Sequence, residues 1–236
     1  MLKGLHPRPI ELQRIALIRD KTPDYLSRPE NLERLLLDLG LNDEGLSEFP
    51  QSLHPFCGPG LRIWQYPAQF SRYLSKLIHL GVRSYLELGI RHGGSFVATV
   101  EILERFSLLE FAVGVDIIPC PSMAQYGKLN GRIEFVCINT QAADFIALVD
   151  RIAPIDLVFI DSHHDEAQCR REFASVAGRA NMIALHDIAN VNCPGVSKVW
   201  EEVKGMDAYE CFEYIDQYDG MGPYMGIGLA VKVERR

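Results

Sequence analysis

The stretch YLELGIRHGGSF, Tyr85 to Phe96, is the most informative part of this 236-residue sequence. Its apolar start is typical of a buried strand, its glycines of a tight turn, and the continuation GGSFVATVEILERF of a helix. A strand that passes into a helix through a glycine-rich turn is the usual opening unit of an α/β domain. The stretch therefore predicts an α/β fold and raises the question of why an acid, Glu87, precedes the turn.

The apolar runs after this unit alternate with helical patterns. They are FAVGVDII (111–118), IEFVCIN (133–139), IDLVFID (155–161) and NMIALHD (181–187). Such alternation, with runs apolar on both faces, predicts a parallel sheet covered by helices on both sides. Two final runs, YECFEYI (209–215) and GIGLAVKV (226–233), flank the glycine-rich YDGMGPYMG and predict a closing antiparallel pair.

The first 60 residues differ from the rest because prolines divide them into short segments. We predict an N-terminal helical and irregular appendage over 1–60 and the main domain over 61–236. In RPENLERLLLDLG (28–40) the leucines form one helical face that must pack on the main domain or on a partner subunit. That face leads us to expect a homo-oligomer. A second helix is predicted in PAQFSRYLSKLIHLG (67–81).

Composition excludes several classes of partner. A net charge of −7 and a pI near 5.5 create no basic field for nucleic acid or anionic lipid. Charges interrupt the N-terminal apolar runs, so no signal-peptide core is visible, and no segment approaches a membrane span. The six cysteines form no C-x-x-C pair. We expect a cytosolic protein with reduced thiols.

The glycine turn has features of a ligand site. Glycines admit a ligand close to the backbone, the N–H groups that open the next helix favour an anion, and Ser95 is expected to cap that helix. The spacing E-x-G-x-x-x-G-G lacks the G-x-G-x-x-G order of a pyrophosphate-binding turn. Asp116 lies 27 positions after Gly89 (116 − 89), where α/β proteins place an acid on ribose hydroxyls. The pattern favours a ribose without a pyrophosphate. The alternative is a tight turn whose glycines serve only helix packing.

Polar residues also end the fourth and fifth runs, in FIDSHHDE and ALHDI. The carboxyl ends of parallel strands meet at one rim of a sheet. We therefore expect Asp161, His163, His164, His186 and Asp187 to converge there.

The segments ELGIRHGGS, GVDI, FIDSHH and ALHDI resemble the class I S-adenosylmethionine-dependent methyltransferases. More narrowly, IWQYPAQFSRYLSKLI and the D-S-x-H of Asp161 to His164 are similar to small-molecule O-methyltransferases related to the cephalosporin hydroxylase, rhamnosyl and macrolide-sugar methyltransferase group. The resemblance spans about Leu61 to Leu229. It implies a Rossmann-like, seven-stranded, mostly parallel sheet with an antiparallel last strand. It also implies methyl transfer to a hydroxyl of a small molecule such as a sugar or natural product.

The resemblance assigns cofactor roles position by position. The methionine part of S-adenosyl-L-methionine would lie against the turn, with its amino group near Glu87 or Gly89, the ribose on Asp116, and the adenine beside Asn139 and Thr140. Asn139 replaces an acid found in many relatives, and its amide can still accept from an adenine amine. The complete set of implied cofactor-binding residues is Glu87, Gly89, Gly93, Ser95, Asp116, Asn139, Thr140 and Asp161.

The resemblance also implies the catalytic roles. His164 matches the general base of the family, with Asp161 as its catalytic companion, and His163 is the weaker candidate because adjacent residues point to opposite sides. Asp161 and Asp187 match carboxylates that hold a divalent cation, Mg²⁺ or another, in metal-dependent relatives. His186 stands where those relatives have an acid, which favours a softer metal. The structural alternatives are that Asp161 caps the helix near Asp165 and that His186 is only hydrogen-bonded inside the rim.

Two other functions remain open from the sequence. A nicotinamide-dependent oxidoreductase would need the pyrophosphate turn that this spacing lacks, and a non-catalytic cofactor-binding or assembly module would keep the pocket without the chemistry. The acceptor is expected to be a small hydroxylated molecule. The segment 64–66 and the loop 218–226 are candidates for covering the cofactor or the acceptor, or for plain packing.

Overall fold

The computed structural model describes residues 6–106 and 109–233, in which seven strands form one sheet. The strands are β1 (Ser84–Leu88), β2 (Phe111–Asp116), β3 (Ile133–Cys137), β4 (Ile155–Ile160), β5 (Ala180–His186), β6 (Tyr209–Tyr214) and β7 (Ile227–Lys232). Each coincides with one of the seven apolar runs, and only β1 and β5 begin one residue earlier, so the predicted strands are confirmed. The first five residues of the predicted N-terminal appendage lie outside the described residues.

The strand order is β3-β2-β1-β4-β5-β7-β6. All pairings among β1 to β5 are parallel, and β7 runs antiparallel to both β5 and β6. The predicted Rossmann-like sheet with an antiparallel last strand is therefore confirmed. The chain order reverses between β1 and β4, and a crevice opens at such a switch point beyond the carboxyl ends of the strands.

Helices cover both faces of this sheet. They are α1 (Ile15–Arg19), α2 (Pro23–Leu26), α3 (Pro29–Leu39), α4 (Pro67–Leu80), α5 (Gly94–Glu104), α6 (Pro121–Leu129), α7 (Ala143–Ile152), α8 (Glu166–Ala177) and α9 (Pro194–Lys204). Short 3₁₀ turns span Leu12–Arg14, Leu46–Glu48 and Gln51–Phe56. The predicted ends of α3 and α4, Gly40 and Gly81, are their C-caps. Within the described residues no helix has the length and hydrophobicity of a membrane span.

The leucine face of α3 packs on α4 of the same chain. Leu32, Leu35, Leu36 and Leu39 are each 0–1% exposed. The apolar face that suggested an oligomer is thus covered without a partner. A homo-oligomer remains a prediction, now without that support.

Two hydrophobic cores flank the sheet. The N-terminal helices share one core with α4, α5 and α6, while α7, α8 and α9 form the other. The division of the chain at residue 60 remains a prediction, since the N-terminal residues pack into the first core rather than standing apart. This packing brings the N-terminal segment over the glycine turn after β1.

Candidate active site

Strand register brings the polar ends of β4 and β5 together. Leu88 pairs with Ile160 and Ile160 with Leu185, so the residues that follow β4 and end β5, Asp161 and His186, lie side by side. Side chains alternate between the two faces of a strand. Asp161 and His186 therefore project to the face that carries the N-terminal core, toward the space left beside the glycine turn.

A carboxylate–imidazole cluster occupies this rim. The Nδ1 of His164 lies 2.8 Å from the Oδ2 of Asp187, and its Nε2 lies 3.2 Å from the Oδ1 of Asp161. The Nδ1 of His186 is 2.9 Å from the same Asp161 oxygen but outside hydrogen-bond geometry, so that contact is electrostatic. Both ring nitrogens of the buried His186 lack a hydrogen-bond partner among the described residues. Of the five residues predicted to converge, these four do.

His163 does not join the cluster. Its side chain is 73% exposed, and its Nε2 contacts Asp165 at 3.1 Å. Asp165 is also the N-cap of α8, since its carboxylate accepts a hydrogen bond from the backbone N–H of Gln168 at 2.9 Å. The alternative in which Asp161 caps this helix is therefore wrong.

The loop after β5 supplies two further groups. Asn190 Nδ2 donates to Asp187 Oδ1 at 2.9 Å, and Cys193 Sγ lies 3.5 Å from both Asp187 Oδ2 and His164 Nδ1. Asp187 has a φ of +63°, which turns the chain back toward the cluster. Sequence reasoning gave no role to Asn190 or Cys193. Their nearness to Asp187 in sequence was the available signal, but only the loop conformation brings them back to it.

Burial and mutual charge oppose each other in the cluster. Burial disfavours the imidazolium of His164, but its hydrogen bonds to Asp161 and Asp187 outweigh burial and raise the pKa of His164 far above its usual value. Burial likewise opposes ionisation of both carboxyls, yet His186 and His164 hold the pKa of Asp161 and of Asp187 below the usual range. The two flanking carboxylates therefore favour the protonated form of His164 in the free protein.

Two glycines allow backbone segments to meet at the turn. Gly89 has a φ of +88°, and a Cβ there would lie 2.1 Å from the carbonyl oxygen of Asp161. A Cβ on Gly94 would lie 2.0 Å from the carbonyl oxygen of Leu61. The predicted cap is wrong: Ser95 lies inside the first turn of α5, whose N-cap is Gly93, and no side chain caps this helix.

Glu87 lies beneath the turn. It is 1% exposed and accepts a hydrogen bond from the hydroxyl of Tyr85. Burial raises the pKa of Glu87 to about 8, although the Tyr85 hydrogen bond acts in the opposite direction. Glu87 nevertheless lines the cavity above it, so a cation placed in that cavity would lie beside this residue.

Two adjoining cavities meet at the switch point. The first, about 340 Å³, is lined by the cluster together with Glu87, Gly89 and Ser95. The second, about 360 Å³, is lined by Asp116, Asn139 and Thr140. Both are lined by Gly89, Arg91, Asp161 and Ser162. Gly93 lines neither cavity. With that exception, each residue predicted to bind a cofactor lines at least one of the two cavities.

Asp116 is fixed by backbone donors. Its Oδ2 accepts from the N–H of Arg91 at 2.8 Å, and its Oδ1 accepts from the N–H of Ile118 at 3.0 Å. Each carboxylate oxygen has further acceptor capacity. The carboxylate is thus oriented at the end of β2 and can still accept from a pair of hydroxyl groups.

The N-terminal segment roofs the first cavity with paired charges. Arg62 Nη1 contacts Asp43 at 2.7 Å, and Arg91 Nε contacts Glu44 at 3.0 Å. Both arginines lining this cavity are therefore already neutralised. Among the described residues the non-glycine positions with positive φ are Arg62, Arg91, Asp187 and Met225, and all four line this cavity. Such strained positions concentrate at functional sites.

The two segments predicted to cover the cofactor or the acceptor, 64–66 and 218–226, partly line the first cavity and partly pack on each other. Trp64 lines the first cavity and donates to Glu48 at 2.9 Å, and Gln65 Nε2 donates to Asp161 at 3.1 Å. Tyr66 is buried, with its ring edge-on to Tyr218. The loop 218–226 thus packs on this segment.

The model of the rhamnosyl O-methyltransferase/CmcI family matches residues 55–185, more than half of the chain. No curated protein matches this chain.

Several solved structures share the fold of this chain. An O-methyltransferase from Bacillus cereus in complex with SAH has a TM-score of 0.54 at 14% identity, covering 93% of this chain and 96% of that one. The O-methyltransferase TomG from Streptomyces achromogenes, in complex with SAM, has a TM-score of 0.54 at 20% identity, covering 83% and 92%. An rRNA methylase from Streptococcus thermophilus has the same score at 11% identity, covering 70% and 97%.

Proposed function

This chain belongs to the rhamnosyl O-methyltransferase/CmcI family of S-adenosylmethionine-dependent enzymes, and on that premise we propose that it methylates a hydroxyl of a small molecule such as a sugar or natural product, with His164 as general base. The observation that carries the proposal is the junction of the two cavities at Gly89 and Asp161. A cofactor with its adenosine in the second cavity has its reactive sulfonium beside the carboxylate–imidazole cluster.

The cofactor is held by groups from three strand ends. Asp116 accepts the ribose hydroxyls with the capacity left after its two backbone hydrogen bonds. Glu87 takes the amino group of the methionine part, and the N–H groups that open α5, beside Ser95, face its carboxylate. Asn139 and Thr140 lie along the adenine.

Methyl transfer is an in-line displacement at carbon. The acceptor oxygen forms the new C–O bond as the C–S bond breaks, and the bonding pair remains on sulfur to give neutral S-adenosylhomocysteine. The acceptor proton passes to the Nε2 of His164, after the ring has released to solvent the proton that it holds in the free protein. The 2.8 Å contact to Asp187 orients the ring, while the longer 3.2 Å contact to Asp161 is the one that an acceptor hydroxyl displaces.

The cluster also has the donors of a cation site. Asp161 and Asp187 offer oxygen atoms. The Nδ1 of His186, which has no hydrogen-bond partner in the described part of the chain, faces both at 2.9 and 3.7 Å. This donor set fits a divalent transition metal better than Mg²⁺, which prefers an all-oxygen shell. When bound, such a cation would lower the pKa of the acceptor hydroxyl.

An oxidoreductase or a lapsed binding module is less well supported. The turn lacks the pyrophosphate spacing that a nicotinamide cofactor requires. A lapsed module has no need of the strained Asp187 or of a proton-holding histidine in the cavity wall. Because the arginines of the first cavity are paired, the proposed acceptor is a small hydroxylated molecule without a negative charge.

The test is single-turnover methylation of a panel of hydroxylated glycosides with labelled cofactor. We expect His164→Ala to lower turnover by about two to four powers of ten with cofactor affinity nearly unchanged. The matched variant His163→Ala, which alters the exposed neighbour, should retain turnover within about threefold. Equal losses in both variants, or no loss in His164→Ala, would remove His164 from the mechanism.

A further inference from the structure

A buried glutamate lies behind the wall of the second cavity. Glu172, on α8, is 1% exposed and does not line the cavity itself. Its Oε1 accepts from the hydroxyl of Thr140 at 2.5 Å, and its Oε2 accepts from the hydroxyl of Ser162 at 2.6 Å. Gln168 Nε2 donates to Oε1 at 3.0 Å. Three donors on two oxygens is the arrangement of a carboxylate that acts only as an acceptor.

This arrangement determines where the hydroxyl protons point. Each hydroxyl has one proton and two lone pairs. The hydroxyls of Thr140 and Ser162 both donate their proton to Glu172, so neither can donate a hydrogen bond to a ligand. Both residues line the second cavity, where their hydroxyls can only accept.

Gln168 adds no free donor to this wall. Its Nε2 has two protons, which are shared among Glu172 and the oxygens of Thr140 and Ser162, the latter two at 3.3 Å each. Its Oε1 accepts from the side-chain amide of Gln141 at 2.9 Å. The Glu172 carboxylate thereby fixes the orientation of the Gln168 amide, with its nitrogen toward Glu172. The hydroxyl oxygens of Thr140 and Ser162 each accept from this nitrogen and retain one lone pair.

We propose that Glu172 is a positioning residue that makes the hydroxyls of Thr140 and Ser162 accept hydrogen bonds only, so that these two groups favour an exocyclic amino group on the purine of the cofactor over a carbonyl at the same position. The inference rests on the proposed placement of the adenosine in the second cavity. An amino group donates to the lone pairs that Thr140 and Ser162 present. A carbonyl oxygen there would face those lone pairs without a proton between them.

The test compares two ligands that differ only at this position. The dissociation constants of S-adenosylhomocysteine and of S-inosylhomocysteine, which has a carbonyl in place of the amino group, are measured by titration calorimetry. We expect the wild-type protein to prefer the adenosine compound by about tenfold to a hundredfold, the effect of leaving buried polar groups unpaired. In Glu172→Gln the new amide donates to one hydroxyl, which then turns its proton to the cavity, and the preference should fall to about threefold or less.

The matched control is Glu101→Gln. Glu101 is also 1% exposed, but it lies on α5 and binds Arg19 and Tyr126, far from this network. It should keep the wild-type ratio. If Glu172→Gln does not fold, Thr140→Val and Ser162→Ala each remove one acceptor, and each should lower the ratio. An unchanged ratio in these variants, or a wild-type protein without preference, would overturn the inference alone. Failure of the wild-type protein to bind either compound would overturn the proposed cofactor site itself.

Discussion

Cofactor binding should release a proton from Glu87, and this can be tested without knowing the acceptor. The pKa of the buried Glu87 is raised to about 8, so at pH 7 only about a tenth of the free protein carries the carboxylate. An ammonium group bound beside Glu87 requires the ionised form. Binding at pH 7 should therefore release about 0.9 proton, and affinity should rise about ninefold between pH 6 and pH 7.

The assay is calorimetric titration with S-adenosylhomocysteine in buffers of different ionisation enthalpy, between pH 6 and 7.5, where the ligand ammonium stays protonated. The isosteric variant Glu87→Gln should bind more weakly, release no proton and show a flat pH profile. Release below about 0.2 proton in the wild-type protein, or an affinity independent of pH, would refute the argument that Glu87 binds the amino group from a raised pKa.

The raised pKa of Glu87 also affects the stability of the folded protein. The folded state holds the Glu87 proton up to about pH 8, whereas the unfolded chain releases it near 4.5, so the free protein loses stability as pH rises between these values. The full difference corresponds to at most about 5 kcal/mol. Urea denaturation should show a decline over this range that Glu87→Gln flattens, and identical pH profiles for the two proteins would contradict it.

Three further outcomes are expected. Gly89→Ala should lower the free energy of unfolding, measured in urea, by about 2–5 kcal/mol and abolish cofactor binding, because the new Cβ would meet the Asp161 carbonyl. The control Gly81→Ala, at a φ of +69° but in open space, should lower it by only about 1–2 kcal/mol. Asp116→Asn should weaken S-adenosylhomocysteine binding about tenfold to a hundredfold by calorimetry, since an amide nitrogen cannot accept from a ribose hydroxyl, and unchanged affinity would remove it from the site. Chelation followed by metal replacement should restore turnover better with Mn²⁺ or Zn²⁺ than with Mg²⁺ if His186 is a ligand, and His186→Glu should reverse that order.

The linear pattern of the chain was sufficient for the fold. Every strand coincides with an apolar run, and the inner strands are the most apolar because they are buried on both faces, whereas the edge strands β3 and β6 are partly exposed. Helices α3 and α4 follow from leucine spacing and from the glycines that end them. The convergence of Asp161 and His186 also follows from sequence, because parallel strands place their carboxyl ends at one rim.

Local sequence did not determine what depends on packing between distant segments. The partner of the α3 leucines, the burial that raises the pKa of Glu87, and the return of Cys193 to His164 all require the folded chain. The sequence alone thus placed Asp161, His164, His186 and Asp187 at the rim of the sheet, but it did not exclude His163 or identify Asn190 and Cys193. The tertiary structure decided the protonation and the partners of these residues, and it decided that the Thr140 and Ser162 hydroxyls donate to Glu172. These properties depend on desolvation and on contacts between residues that are far apart in the sequence.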